Sequence, residues 1–305
     1  MNKETVTIKL DEQTNIKMQD YYHALKEENA GEYVSFFSHI TNDLQLTIYH
    51  SKNGYKAVFS GKNALEEAKK WDDNALVNIP KEKVPSIWKD LSSQIGSDEV
   101  GTGDFFGPII VCAAYVDSSF IPYLKEVGVD DSKKITDQKI REIVPKIIDK
   151  IVYKVHVCSP MKFNEMSDKG YSMNEIKAIL HNDALIKVRK QVNANTICYV
   201  DQFCSPSNYY SYLRKYNYES LNTNIIFETK GESHYPSVAV ASMIARYEFL
   251  KWFDEMSIKY GIEILKGAST KVDELASLIV EKYGLSELDK IVKKSFINYK
   301  TIVIK

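Results

Sequence analysis

Residues 98–108 read Asp98-Glu99-Val100-Gly101-Thr102-Gly103-Asp104-Phe105-Phe106-Gly107-Pro108, and the chain runs on as Ile109-Ile110-Val111-Cys112-Ala113-Ala114-Tyr115-Val116. The second stretch is a short continuous apolar run, which predicts a strand buried on both faces. The first is a glycine-rich turn opened by two adjacent carboxylates. Together they predict a strand hairpin with Asp98 and Glu99 at its mouth. Adjacent carboxylates repel each other, and both lose water if the site closes. A divalent cation offsets that cost by supplying positive charge. The turn glycines permit φ > 0 and let backbone amides approach a ligand. Taken alone, the same residues also describe a surface turn with two solvated acids.

Two downstream stretches weigh against the surface turn. Asn195-Thr196-Ile197-Cys198-Tyr199-Val200-Asp201 has a strand pattern that ends in an acid. Thr229-Lys230-Gly231-Glu232-Ser233-His234-Tyr235-Pro236 feeds a long helical pattern, with Pro236 suited to the first turn. Glu232 therefore sits just ahead of a helix N-terminus. The candidate catalytic and metal-binding set is Asp98, Glu99, Asp201 and Glu232. Oxygen ligands without supporting His or Cys favour Mg²⁺ or Mn²⁺ over zinc. Four carboxylates can hold two such ions, a pair that clamps the attacking and leaving oxygens of a phosphodiester. Asp98, at the end of the first central strand, is expected to bridge both ions.

These motifs resemble the type 2 ribonucleases H in order and spacing. The resemblance rests on Ser97 to Pro108, the Asp130-Asp131-Ser132-Lys133-Lys134 loop, the strand ending at Asp201, and the stretch from Glu232 to Arg246. It is closer to ribonuclease HIII. Thr102 stands where ribonuclease HII carries arginine, Glu232 stands where that enzyme typically has Asp, and an extra N-terminal region precedes the catalytic part. The resemblance implies an endoribonuclease that hydrolyses the RNA strand of RNA/DNA hybrids by a two-metal-ion mechanism, leaving 5′-phosphate and 3′-hydroxyl ends. It implies that Gly101, Thr102 and Gly103 approach a 2′-hydroxyl, the group that separates RNA from DNA. Ser132 and Lys133 would contact phosphate, fixing register without reading sequence. The missing arginine implies a preference for longer RNA stretches. The competing readings are ribonuclease HII-like cleavage at single ribonucleotides in DNA, and a non-catalytic nucleic-acid-binding protein.

A length of 305 residues predicts about two domains. With 44% hydrophobic and 27% charged residues, the composition is that of an ordinary soluble globular protein. No apolar stretch is long enough to span a bilayer, and no signal-peptide core opens the chain. Cys112, Cys158, Cys198 and Cys204 form no C-x-x-C pair, so they are expected to be reduced thiols in a cytoplasmic protein. A net charge of −1 is low for a nucleic-acid binder, but binding depends on local patches and metal-holding acids subtract from the count. No triphosphate loop, serine elbow or dinucleotide fingerprint occurs, so no small-molecule cofactor is expected. A monomer is expected.

The expected class is α/β, α+β overall. A ribonuclease H-like mixed sheet flanked by helices over residues 91–305 would follow a small helix-on-sheet domain over 1–80 and a linker at 81–90. In the family, the N-terminal domain resembles the TATA-binding protein and assists substrate binding. Its pattern here predicts strands over Thr5–Leu10, Leu44–Ser51 and Tyr55–Ser60, the last two joined by a Lys52-Asn53-Gly54 turn. Helices are expected over Thr14–Lys26 and Asn63–Trp71, with Asn63 as N-cap. Met18, Tyr21, Tyr22 and Leu25 have core spacing; Lys9, Lys52, Lys56 and Lys62 are assigned to one sheet face, and Tyr49, Tyr55 or Phe59 to stacking on substrate. In the larger domain, strands are expected near 93–98, 107–117, 151–158, 195–201 and 223–228. Helices are expected near 136–149, 172–192, 207–217, 236–259 and 270–283, with a capping box at Ser172 and Glu175. The histidines lack ligand spacing; His181 reads as an ordinary packing residue and His234 as a rim candidate. Arg246 reads as either a phosphate contact or a structural ion-pair partner.

Overall fold

The computed structural model describes residues 4–27, 33–51, 54–78, 87–193, 195–219 and 225–303. The chain divides into two compact units, Met1–Glu82 and Lys83–Lys305.

The first unit runs β1 (Glu4–Leu10), α1 (Glu12–Tyr21), β2 (Val34–Thr41), β3 (Leu44–Ser51), β4 (Gly54–Gly61) and α2 (Ala64–Lys69). Its strands form an antiparallel sheet in the order β1-β4-β3-β2. Alternation along the strands puts Val6, Ile8, Leu46 and Phe59 on the face that packs against Met18 and Tyr22 of α1 and Ala64 and Ala68 of α2. Lys9 and Lys56 pair directly across the opposite face, and Tyr49 pairs with Lys56 from the other side.

Several expectations for this unit are corrected. Phe59 is fully buried, because its register opposite Val6 turns it toward the helices. Tyr21 is exposed because Met18 and Tyr22 take the core side, and Leu25 is exposed because α1 ends at Tyr21 and a 3₁₀ turn at His23–Leu25 breaks the 3.6-residue phase. Asn63 occupies the N-cap position of α2 in the left-handed region, with φ 62°, and makes no side-chain cap bond. Strand β2 was not anticipated, and its register shifts at Val34/Phe36 and His39/Thr41 explain why no clean alternation shows. The expected turn residues Lys52 and Asn53, and most of the expected linker, lie outside the described residues.

The second unit contains β5 (Gln94–Val100), β6 (Ile109–Val116), α3 (Ile121–Glu126), α4 (Asp137–Ile147), β7 (Tyr153–Cys158), α5 (Pro160–Asp168), α6 (Met173–Arg189), β8 (Ile197–Asp201) and α7 (Pro206–Lys215). It continues with β9 (Ile225–Glu228), α8 (Gly231–His234), α9 (Pro236–Tyr260), α10 (Thr270–Tyr283), α11 (Leu285–Leu288) and α12 (Ile297–Val303). The sheet order is β7-β6-β5-β8-β9; β5, β6 and β7 are antiparallel neighbours, while β8 and β9 run parallel to β5.

This is the mixed sheet flanked by helices that the sequence predicts. Strand β6 is buried on both faces: Ile110, Cys112 and Ala114 pack toward α9, and Ile109, Val111 and Ala113 toward α6. Helix α9 lies directly on β5. A Cβ on Gly96 would stand 2.2 Å from the backbone nitrogen of Val238, so only glycine permits that approach. Helix α6 begins with the expected capping box of Ser172 and Glu175. Helices α3, α5, α8, α11 and α12 were not anticipated, so Glu232 lies within the short α8 rather than ahead of a helix, although Ser159-Pro160 is a readable cap-and-proline start for α5. Among the described residues no helix is long and apolar enough to cross a membrane.

Candidate active site

Parallel pairing of β5 with β8 sets Ser97 beside Val200. The next residues along, Asp98 and Asp201, therefore stand side by side where β8 ends; β5 itself runs two residues past Asp98, to Val100, rather than ending at it as expected. Asp201 is tied down by the backbone N–H of Gly231, which donates to its Oδ1 at 2.8 Å. That bond anchors the start of α8, whose second residue is Glu232. One carboxylate oxygen each from Asp98, Asp201 and Glu232 lies within 4.8 Å of the others.

The cluster is buried and electrostatically uncomfortable. Asp98 is 5% exposed and Glu232 1%. Burial, then the charges of Glu99 and Asp201, push the Asp98 carboxyl well above the usual carboxylate range. Burial and the neighbouring Glu232 push Asp201 up to about 6, despite the Gly231 N–H. Glu232 Oε1 accepts from Lys133 Nζ at 2.5 Å, while its Oε2 is buried with no hydrogen-bond partner among the described residues. A buried carboxylate oxygen without a donor calls for a cation. Six-coordinate Mg²⁺ holds oxygens at about 2.1 Å, so opposite ligands stand about 4.2 Å apart. The three acids therefore lie close enough together for one such ion to be held among them.

Glu99 is placed differently. It pairs with Val111, and Asp98 with Cys112, so the two acids lie on opposite faces of β5. Glu99 faces α6, where its Oε1 accepts from Lys177 Nζ at 2.8 Å and its Oε2 lies 2.9 Å from His181 Nε2. Burial would raise the Glu99 pKa, but His181 and Lys177 outweigh it and hold the group at about 2.

The loop residues fall around this core. Ser132 is buried, with Oγ 2.8 Å from Ser242 Oγ on α9, and the Ser242 hydroxyl partly offsets the upward shift of the Asp98 carboxyl. Asp131 accepts from the Lys133 backbone N–H and from Ser233 Oγ, which shapes the turn that aims Lys133. Arg246 pairs with Asp137 and donates to the carbonyls of Ser132 and Ile135. Of its two readings the structural one holds, and the guanidinium braces the loop. Gly101, Thr102 and Gly103 follow directly after β5. At Gly101, φ is 91° and a Cβ would meet the Pro108 carbonyl oxygen at 2.1 Å; at Gly103 a Cβ would meet nothing within 4 Å. His234 Nδ1 lies 2.7 Å from Glu228 Oε1.

Sequence reasoning missed Ser242, Lys177 and His181. His181 was read as a packing residue, but its fully buried ring contacts Glu99 and Ser97. The available signal was the i, i+4 placement of Lys177 and His181 in a largely buried helix, where polar residues need partners.

Three carboxylates converging from separate elements, with a cation reaching them from a loop, can bind divalent metal and present it to a phosphodiester. Known proteins agree with that chemistry. The ribonuclease HII family model matches residues 95–299. Ribonuclease HIII of Listeria monocytogenes serotype 4b (strain CLIP80459) is 40% identical over 303 residues, covering 95% of this chain and 95% of that protein. Ribonuclease HIII of Phytoplasma mali (strain AT) is 47% identical over 206 residues, covering 68% of this chain and 71% of that protein. Among solved structures, Bst-RNase HIII in complex with Mn²⁺ matches with a TM-score of 0.68 at 32% identity, covering 98% of each chain. With this span of similarity and the acids grouped as described, the chain belongs to the ribonuclease HIII family.

Proposed function

We propose that this ribonuclease H cuts the RNA strand of RNA/DNA hybrids, with Asp98, Glu99, Asp201 and Glu232 as ligands for two Mg²⁺ or Mn²⁺ ions, leaving 5′-phosphate and 3′-hydroxyl ends. The observation that carries this reading is the buried convergence of Asp98, Asp201 and Glu232, with one Glu232 oxygen unpaired among the described residues. When bound, the ions would activate water and neutralise the charge on the attacked phosphate and the leaving oxygen. The protein's own groups supply placement. Asp98 is set beside Asp201 by its strand register, and the Gly231 N–H orients Asp201. Lys133, with a side chain 71% exposed, has the reach to leave Glu232 for a substrate phosphate.

Hybrid duplexes would be recognised by shape, 2′-hydroxyls and phosphates, without base sequence. The turn at Gly101–Gly103 supports this because it opens at the same strand end as Asp98. In the first unit, the sheet face bearing Lys9, Tyr49 and Lys56 would add phosphate and stacking contacts, in the manner of the TATA-binding-protein-like domain of the family.

The test uses two end-labelled duplexes, a continuous RNA strand on DNA and a DNA duplex with one ribonucleotide, each with Mg²⁺, Mn²⁺ or EDTA. Metal-dependent cutting of the first alone is expected. Cutting of the second would indicate ribonuclease HII-like specificity, and no cutting of either would indicate a binding protein. Asp201→Asn is expected to lower hybrid cleavage at least about 100-fold, about 2.7 kcal/mol, while hybrid affinity stays within about threefold.

A further inference from the structure

Both oxygens of Glu99 are engaged. Lys177 Nζ lies 2.8 Å from Oε1 and His181 Nε2 lies 2.9 Å from Oε2. A carboxylate only accepts, so Nε2 carries the proton in that contact. The two partners are themselves fixed. His181 Nδ1 lies 2.6 Å from Ser97 Oγ, and its ring stacks on Phe203 at 5.0 Å and 24°. The Lys177 ammonium sits 4.2 Å from the centre of the same Phe203 ring. The side chain of Lys177 is 8% exposed and that of His181 fully buried, so water competes little with either contact. Asp98, Asp201 and Glu232 meet on the other side of the strand without Glu99.

We propose that Lys177 and His181 are positioning residues that hold Glu99 out of the acid cluster, so that the substrate-free chain takes one divalent cation on Asp98, Asp201 and Glu232 and admits a second only when Glu99 releases them. This rests on the two-ion reading above and adds an order to it. Assembly of the full site is deferred to the substrate complex, because the second ion must compete with an ammonium and an imidazole for the same two oxygens. A phosphate entering the site shifts that competition: its negative charge attracts a divalent ion more strongly than it attracts the singly charged Lys177 ammonium.

Titration of the full chain with Mn²⁺ alone, without nucleic acid, tests this by electron paramagnetic resonance of the unbound ion. Wild type is expected to bind one ion. Asp201→Asn is expected to weaken that ion at least about tenfold, whereas Glu99→Gln leaves it within about threefold. Lys177→Met, which keeps the stem packed on Phe203, is expected to bind a second ion, and Glu99→Gln added to it returns the count to one. Equal loss in Asp201→Asn and Glu99→Gln would overturn this inference while leaving the metal site intact. Undiminished binding in Asp201→Asn would overturn the metal site itself. A second ion that survives in the double variant would show that charge removal alone explains it, and would also overturn the inference. If Lys177→Met fails to fold by circular dichroism, the comparison of Asp201→Asn with Glu99→Gln still decides.

Discussion

Lys133 Nζ lies 2.5 Å from Glu232 Oε1, across 99 positions of sequence. The lysine is the solvent-facing partner, with a side chain 71% exposed against 1% for the glutamate. Burial lowers the Lys133 pKa, but the contact with Glu232 outweighs it and the net shift is upward. The ammonium therefore meets the buried carboxylate from the solvent side, the position from which the proposed phosphate contact would be made.

Lys133→Met is expected to raise KM for hybrid about five- to tenfold, about 1–1.4 kcal/mol. The salt dependence of hybrid binding should fall by close to one phosphate contact, a change of about 0.7–0.9 in slope. Binding measured from low to moderate salt checks this. An unchanged slope would exclude a phosphate contact by Lys133.

The pH dependence of metal-free stability has a definite sign at Asp201. Its carboxyl is raised to about 6 in the folded chain, against an ordinary value of about 3.9 in the unfolded one. Between those values the folded state binds more protons, so this group's contribution to stability is lost as pH rises through the window. Asp201→Asn removes the effect. In EDTA, the Tm of the variant is expected to rise relative to wild type from about pH 4 to about pH 7 and then level off. Added Mn²⁺ should stabilise wild type more at about pH 8 than at about pH 5, where protons compete for the ligands.

Two turn glycines separate a structural requirement from a functional one. Gly101→Ala forces a Cβ to within 2.1 Å of the Pro108 carbonyl oxygen at a φ of 91°. It is expected to cost at least about 2 kcal/mol, read from urea unfolding. Gly103→Ala meets open space, so its stability should stay within about 0.5 kcal/mol of wild type. If that turn approaches substrate, Gly103→Ala raises KM for hybrid without changing Tm, and an unchanged KM would remove Gly103 from the binding surface.

Deletion of Met1–Pro80 is expected to raise KM for hybrid at least about tenfold, about 1.4 kcal/mol, with kcat little altered. The removed stretch carries its own core of Val6, Ile8, Leu46, Ile48 and Phe59, while the four acids all lie in the second unit. Steady-state kinetics on a continuous hybrid checks this, and an unchanged KM would refute a binding role for the first unit.

The strand–helix order of the catalytic unit was legible because its strands are short apolar runs and its helices carry caps. Ser172 with Glu175 and the proline start of α9 are local signals that need no tertiary information. Asp98, Asp201 and Glu232 were legible too, since Asp201 ends a strand, Glu232 lies in the first turn of a helix, and Asp98 precedes the glycine turn, although its strand runs on to Val100. Local pattern does not carry what lies across the space between elements. Strand β2 was hidden by two register shifts, and Tyr21 was misplaced because only one of two adjacent helix residues can face the core.

The sequence by itself determined that Asp98 and Glu99 sit together at a strand end before a glycine turn, and the residue-by-residue alternation of a strand then obliges them to face opposite ways. Tertiary structure alone decided what each one meets. The pairing of Ser97 with Val200 in parallel strands brings Asp98 beside Asp201, and the packing of α6 on the other face gives Glu99 to Lys177 and His181. The physical reason is that a carboxylate's partners are set by register and helix packing. Those in turn depend on burial of apolar faces many residues away, such as Val111 against α6 and Cys112 against α9.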